Sequence, residues 1–206
     1  MSDPHPPFES LLGQIAARTP SPGGGYVASA VGALGAALGS MVLAYSIGKK
    51  SLSQHDETNS RALERLEHSR RELLELAHQD ALAYQRLNTI QRADESQRED
   101  GALLEASRDA TQVPMSASFV CSEMLETLES LATTTNTWLA SDLAIAAILA
   151  NAALKSCVWN IRINLPTLLD AGESADRVSL IRRNTEQQLR GAQEMADRIE
   201  SFCAQA

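Results

Sequence analysis

The sequence predicts an all-α protein, an elongated helical bundle built around one apolar helix that is rich in glycine and alanine. Aromatic residues make up only 4% of the chain, whereas Ala and Leu, both strong helix formers, dominate it. Runs of Val, Ile, Thr and aromatic residues, which would indicate strands, are absent from the sequence. The 206 residues fit one domain, 1–206, because a single hydrophobic core can grow to roughly 250 residues.

Charge and cysteine content restrict the partners and the compartment. The formal net charge is −8, so the overall field disfavours nucleic acid and anionic membranes, and we expect neither as a partner. Cys121, Cys157 and Cys203 are odd in number and lack CxxC spacing, which is typical of reduced thiols. The N-terminal residues do not resemble a signal peptide, so we expect a cytoplasmic protein. The four histidines lack metal-ligand spacing, and no metal site is expected.

The apolar helix is predicted over 26–47, a stretch without a charged residue. It is long enough to span a bilayer. However, Gly32, Gly35 and Gly39 lower its hydrophobicity, and aromatic belts do not flank both ends. We therefore favour a soluble protein in which this helix is buried on all sides. Because a chain of this size has limited means to cover such a helix, we also expect a homodimer.

The spacing of apolar residues predicts the remaining helices. Pro114 is expected to open one of them, and Ser141 is expected to act as the N-cap of another that Pro166 ends or bends. The charged stretch 91–101 is expected to be a loop or an irregular turn. Further helices are predicted over 8–18, 51–89, 102–111 and 176–203.

Both ends of the apolar helix carry candidate binding residues. Gly23, Gly24 and Gly25 precede it, so free backbone N–H groups at its N-terminus could bind an anion. A tight turn between packed helices explains the glycines equally well. At the other end, Lys49 and Lys50 could pair with a carboxylate or phosphate, although complementing a helix C-terminus is the simpler explanation.

Four polar side chains occur within or at the start of otherwise apolar helical segments. Asp80 lies on or beside an apolar face, where a carboxylate is costly unless it is paired or functional, and a boundary ion pair would also account for it. Asn160 and Asn164 share one helix face and could recognise a heterocyclic amide or bond neighbouring helices. Asp142 follows Ser141 at a predicted helix start, where it favours the helix dipole.

Several segments occur together in a recognisable order. They are TPSPGGG at 19–25, VGALGAALGSMV at 31–42, IGKK at 47–50, DALAY at 80–84, Val113-Pro114, Ser141-Asp142, NIRINL at 160–165 and Asp170. Together they resemble the cyclodeaminase/cyclohydrolase family of folate enzymes. The resemblance implies an all-α homodimer without a tightly bound cofactor that takes a tetrahydrofolate derivative as its substrate.

The resemblance also implies roles for the candidate residues. Asp80 falls at the family's proposed acid/base aspartate and becomes the catalytic candidate. The implied reaction is hydrolysis of 5,10-methenyltetrahydrofolate or deamination of 5-formiminotetrahydrofolate, and a chain without a formiminotransferase domain favours the hydrolysis. The expected substrate-binding residues are Gly23, Gly24, Gly25, Lys49, Lys50, Asp142, Asn160 and Asn164.

The chain also departs from the family pattern. His78 and Leu82 stand where acidic residues usually flank the aspartate, and Leu87-Asn88-Thr89 replaces a Leu-Pro-Lys motif. Thr135-Asn136 replaces the usual Gly-Asn before the Ser-Asp pair. These changes motivate an alternative, a folate-binding or interaction protein with the same fold and altered catalysis.

Overall fold

The computed structural model describes residues 6–94 and 99–205, and these parts of the chain contain helices and no strand. The all-α prediction is confirmed. Of the predicted loop at 91–101, residues 95–98 lie outside the described residues, and helix α3 extends to Arg92. The α-helices are α1 Pro6–Ala16, α2 Gly24–Ala44, α3 Asp56–Arg92, α4 Ala102–Leu131, α5 Ala140–Asp170 and α6 Ala175–Cys203, and short 3-10 turns precede α3 and α5.

Helix α2 lies in the middle of the bundle and packs against α3 and α5. It runs antiparallel to α5, since Gly32 near its start faces Ala153 and Gly35 faces Ala146. The main core consists of aliphatic side chains from α2 to α6, and Leu43, Leu66 and Leu128 are fully buried within it. Glycines in α2 let the neighbouring backbones and side chains approach closely.

Helix α4 continues through Pro114, where two separate helices were predicted. A proline lacks an N–H, so the carbonyl of Ala110 four residues earlier loses its usual donor. The side-chain amide of Asn164 on α5 donates to that carbonyl at 2.7 Å. The helix therefore remains continuous because a neighbouring helix supplies the missing hydrogen bond.

The predicted N-cap of α5 was wrong, and so was the alternative that Pro166 ends the helix. The helix begins at Ala140, so Ser141 lies inside its first turn and Leu139 occupies the N-cap position without a side-chain bond. Pro166 lies inside the helix, which ends at Asp170. Packing against α2, α4 and α6 stabilises α5 and outweighs the local preferences of Ser141 and Pro166.

The apolar helix α2 is not buried on all sides. Leu34 is 55% exposed and Tyr45 is 61% exposed, although the opposite face is fully buried. Two helical segments, Gly24–Ala44 and Thr137–Asp170, have the length and hydropathy of membrane spans. These two segments are neighbours, and each is buried on one side within the bundle.

Gly39 marks the closest packing in the core, and its replacement by alanine is expected to destabilise the fold. A Cβ at this position would lie 2.8 Å from methyl carbons of both Leu66 and Leu128. Overpacking of this kind costs about 1–3 kcal/mol, which outweighs the gain of about 1 kcal/mol in helix propensity. We expect Gly39→Ala to lower the free energy of unfolding in urea, whereas Gly191→Ala, with nothing within 4 Å, should raise it.

Candidate functional site

A cavity of about 240 Å³ lies where the start of α2 meets the middle of α3 and the C-terminal half of α5. Its walls combine the glycine loop with one carboxylate, two amides and apolar side chains. No Lys, Arg or His lines it among the described residues. We call it the inner cavity, and it is lined by Pro20, Ser21, Gly23, Gly24, Gly25, Asp80, Ala81, Tyr84, Leu87, Ala110, Asn160, Ile163 and Asn164.

The Asp80 carboxylate sits directly against the first turn of α2. A Cβ on Gly25 would lie 2.0 Å from its Oδ1, so only glycine leaves room for the carboxylate there. The backbone N–H of Tyr26 donates to Asp80. Gly23, at the N-cap position of α2, has no side chain to cap the helix. The anion at the glycine loop is therefore the protein's own carboxylate, which accepts from the Tyr26 N–H at the positive end of the helix dipole.

The side-chain amides of Asn160 and Asn164 make their hydrogen bonds to the protein through their N–H groups and not through their carbonyl oxygens. The Nδ2 group of Asn160 donates to the Ser156 carbonyl at 3.2 Å, and that of Asn164 donates to the Ala110 carbonyl at 2.7 Å. Because only the N–H side of an amide can donate to a carbonyl, these bonds fix the orientation of both groups. The two Oδ1 atoms remain as acceptors, and the inner cavity is consequently rich in acceptors.

Burial determines the protonation of the groups around the cavity. It raises the pKa of the Asp80 carboxyl, and the hydrogen bond from Tyr26 opposes this only in part. Burial also raises the pKa of the Cys157 thiol to about 12, with a further contribution from the charge of Asp80. Cys157 therefore stays protonated at neutral pH, and Asp80 is the group near the cavity whose proton can be exchanged.

Three of the predicted binding residues lie far from this cavity. Lys49 and Lys50 follow the C-terminal end of α2, which is about 30 Å from its start at a rise of 1.5 Å per residue. Asp142 lies at the start of α5, close to the same end because α2 and α5 are antiparallel. Within one chain these residues cannot line the cavity that holds Asp80. The structure brings together the other six predicted residues.

Comparisons with known proteins identify relatives over most of the chain. The family model described as formiminotransferase-cyclodeaminase matches residues 7–180. The methenyltetrahydrofolate cyclohydrolase of Methylorubrum extorquens is 33% identical over 83% of this chain and 85% of its own length. The chain belongs to the formiminotransferase-cyclodeaminase family. The resemblance noted in the sequence is thereby confirmed.

Two further relatives extend the comparison. The rat formimidoyltransferase-cyclodeaminase is 33% identical over 79% of this chain, which spans only 31% of that longer protein. The formiminotetrahydrofolate cyclodeaminase of Thermotoga maritima has a crystal structure that superposes with a TM-score of 0.83 at 28% identity, over 96% of both chains. The two chains therefore share the helical fold over nearly their whole lengths.

A second cavity, of about 350 Å³, adjoins the inner one through Pro20, Ser21 and Tyr84. We call it the outer cavity, and Gln85, Asn88, Thr89 and Arg92 complete its lining. Sequence reasoning did not select Tyr84 or Arg92. Tyr84 could have been found, because it lies one helical turn after Asp80. Arg92 offered no such signal, since its place depends on how far α3 extends.

The departures from the family pattern concern the outer cavity more than the inner one. His78 and Leu82 line neither cavity, and Leu82 is 53% exposed. Asn88 and Thr89, within the segment that replaces Leu-Pro-Lys, line the outer cavity. In this member of the formiminotransferase-cyclodeaminase family, the two replaced positions of the motif therefore lie beside the outer cavity, whereas Leu87, which keeps the leucine, lines the inner one.

Proposed function

We propose that this chain is a folate enzyme that acts at the one-carbon bridge of tetrahydrofolate, with Asp80 as its general acid and base. The observation that carries the proposal is a half-buried carboxylate of raised pKa in a cavity lined by acceptors. Family membership supports the folate substrate, because relatives named as methenyltetrahydrofolate cyclohydrolase and formimidoyltransferase-cyclodeaminase match this chain.

The chemistry of the substrate fits the charge of the inner cavity. The one-carbon bridge of 5,10-methenyltetrahydrofolate is an amidinium cation, and the pterin ring carries amino and N–H donors. Asp80 and the two asparagine oxygens offer a negative charge and two acceptors to such a ligand. The lack of basic side chains in the lining avoids repulsion of the cation.

In the cyclohydrolase reaction, Asp80 takes a proton from water as the water oxygen bonds to the methenyl carbon. The resulting carbinolamine collapses when the carboxylic acid returns the proton to N5 and the bond from N5 to the carbon breaks. The hydroxyl proton leaves as the formyl carbonyl forms, so 10-formyltetrahydrofolate and one proton are released. One carboxylate can serve in both steps because it alternates between its two protonation states.

The cyclodeaminase reaction uses a closely similar carbon centre. The formimino group enters in its protonated form, and N10 attacks its carbon. The former imino nitrogen then receives the N10 proton and leaves as ammonia, so the methenyl cation remains. Asp80 would accept the proton lost from N10 and donate to the departing nitrogen. Both reactions pass through a tetrahedral carbon next to N5, so the same cavity could support either one.

A direct assay with both substrates tests the proposal. Purified protein is mixed with 5,10-methenyltetrahydrofolate, and the loss of its near-ultraviolet absorbance is followed against the spontaneous rate. A parallel reaction with 5-formiminotetrahydrofolate is followed by appearance of the same band and by release of ammonia. Acceleration of one reaction identifies the activity. Tight folate binding without acceleration of either reaction would instead identify a folate-binding protein that has lost catalysis.

We also propose that the protein is a homodimer formed through the exposed face of α2 and α5. Apolar residues recur along this face at steps of three and four, and Lys155 beside it is turned towards Gln193 on α6. Two adjacent helices of about 30 Å present an area comparable to the roughly 800 Å² per subunit of a stable interface. The α2/α5 face comprises Val27, Ala30, Leu34, Ala37, Met41, Tyr45, Ile145, Ile148, Ala152, Trp159 and Ile163.

Ile148→Glu is expected to weaken this dimer strongly. Two-fold symmetry would bury the new charge twice, and we expect the dissociation constant to rise at least 100-fold, or about 3 kcal/mol. Sedimentation velocity over a range of concentrations measures the change, and Leu74→Glu on the exposed side of α3 is the control. A monomeric parent protein would refute the dimer, and recovery in the membrane fraction would indicate lipid on this face.

A cytoplasmic location and the absence of a tightly bound cofactor remain predictions.

A further inference from the structure

We infer that the outer cavity binds the aminobenzoylglutamate tail of the folate, with Arg92 pairing with the glutamate carboxylates. The inference rests on the proposed folate site and names the residue that recognises the tail. Arg92 takes the place of Lys49 and Lys50, the carboxylate-binding candidates of the sequence, since these two lie at the opposite end of α2.

The two cavities adjoin along α3 and together outline a path from Asp80 towards Arg92. They share Pro20 and Ser21 on one side and Tyr84 on the other. The Cα atoms of Asp80 and Arg92 are about 18 Å apart along the helix at a rise of 1.5 Å per residue. The guanidinium lies closer to Asp80 than the Arg92 Cα atom does if the side chain reaches back along the cavity. An extended aminobenzoylglutamate can cover the remaining distance.

The charges along this path are separated in the same way as those of the substrate. Asp80 is the charged residue of the inner lining, and Arg92 is the charged residue of the outer lining. A methenyltetrahydrofolate molecule with its cationic bridge at Asp80 would extend its carboxylates towards Arg92. The half-exposed ring of Tyr84 lies at the junction, where it can stack on the aminobenzoyl ring.

Arg92 is available for this role, whereas a nearby arginine on α3 is not. Arg86 is bound to Glu105 at 2.6 Å and to Asp109 at 2.5 Å. No salt bridge joins Arg92 to another residue in the ranges 6–94 and 99–205. A guanidinium can bind a carboxylate through two parallel hydrogen bonds, so it suits the end of the tail. The competing explanation for Arg92 is that its positive charge stabilises the C-terminal end of the α3 dipole. That role predicts the same effect of Arg92→Ala on substrates with and without glutamate.

Arg92→Ala and a substrate without glutamate together test the inference. We would measure kcat and KM with 5,10-methenyltetrahydrofolate and with 5,10-methenyltetrahydropteroate, for the parent protein, for Arg92→Ala and for Arg65→Ala. Arg65 lies exposed near the start of the same helix and controls for the loss of one positive charge. We expect Arg92→Ala to raise KM about tenfold for the glutamate-bearing substrate only, as is typical for a charged hydrogen bond.

Binding of stable analogues separates this inference from the proposed catalysis. Calorimetric titration with 5-formyltetrahydrofolate and with 5-formyltetrahydropteroate requires no turnover. A parent preference for the glutamate-bearing analogue that disappears in Arg92→Ala supports the tail site even if neither substrate is converted. An equal loss of affinity for both analogues, or no loss for either, would overturn it. A lowered melting temperature with unchanged discrimination would assign Arg92 to the C-terminus of α3.

Discussion

Asp80→Asn is expected to lower kcat by about 10²–10⁴-fold in whichever reaction the enzyme catalyses, because it removes a positioned acid and base. Asparagine has nearly the shape of aspartate and can still accept the hydrogen bond from Tyr26. The substitution therefore removes proton transfer while it preserves the packing against α2. Stopped-flow absorbance with 5,10-methenyltetrahydrofolate measures the loss, and Asp176→Asn, at an exposed position on α6, is the matched control.

The stability of this variant distinguishes catalysis from folding. Burial raises the pKa of Asp80 in the folded protein above its ordinary value of 3.8. The folded state therefore loses stability as the pH rises through the interval between the unfolded and folded pKa values. Asparagine cannot ionise and avoids this loss. We expect the melting temperature of Asp80→Asn at neutral pH to equal or exceed that of the parent.

The pH dependence of the parent enzyme provides a second readout. The base form of Asp80 must be present for water to be activated, so kcat/KM of the hydrolysis should fall as the pH drops through the raised pKa. The acid limb should lie above the range of an ordinary aspartate and should be missing from the residual activity of Asp80→Asn. An unchanged rate and an unchanged profile in this variant would remove Asp80 from the mechanism.

The helices could be predicted from the sequence, but their ends and the behaviour of two prolines could not. Alanine, leucine and the spacing of apolar residues are local signals, and they indicated every α-helix of the described residues, although α4 was predicted as two helices. Pro114 was misinterpreted because its effect depends on Asn164, which is 50 positions away in sequence and reaches the Ala110 carbonyl only in the folded bundle. Proline rules describe an isolated helix, and they fail where another helix supplies the missing donor.

The candidate site could be predicted at one end of α2 only. Glycines before a helix indicated an anion, but not that the anion would be Asp80 from another helix. Sequence spacing also could not show that Lys49 lies beyond the far end of α2, about 30 Å from the end that contacts Asp80, since this follows from the unbroken length of the helix. The distances between helices decide which polar residues act together, and they depend on packing.

Gly25→Ala should remove activity without touching a polar side chain, and it tests the contact on which the site depends. An alanine Cβ would lie 2.0 Å from Oδ1 and 2.3 Å from Cγ of Asp80, so the carboxylate must leave its place or the first turn of α2 must move. We expect kcat to fall by about 10²-fold or more, since small displacements of a catalytic group are costly. Gly24→Ala, whose Cβ would lie 3.6 Å from Asn160 Oδ1, should have a much smaller effect.

A double-mutant cycle shows whether the loss arises from this contact. In the parent background, Gly25→Ala should lower the free energy of unfolding because of the clash with Asp80. In an Asp80→Ala background the clash is gone, and the same substitution should be neutral or stabilising because alanine favours the helix. Strong coupling between the two positions would confirm that Gly25 is required for the carboxylate to approach α2. Additive effects on the free energy of unfolding would show that the destabilisation does not come from the clash with Asp80. An active Gly25→Ala enzyme would show that catalysis does not require the carboxylate at this position.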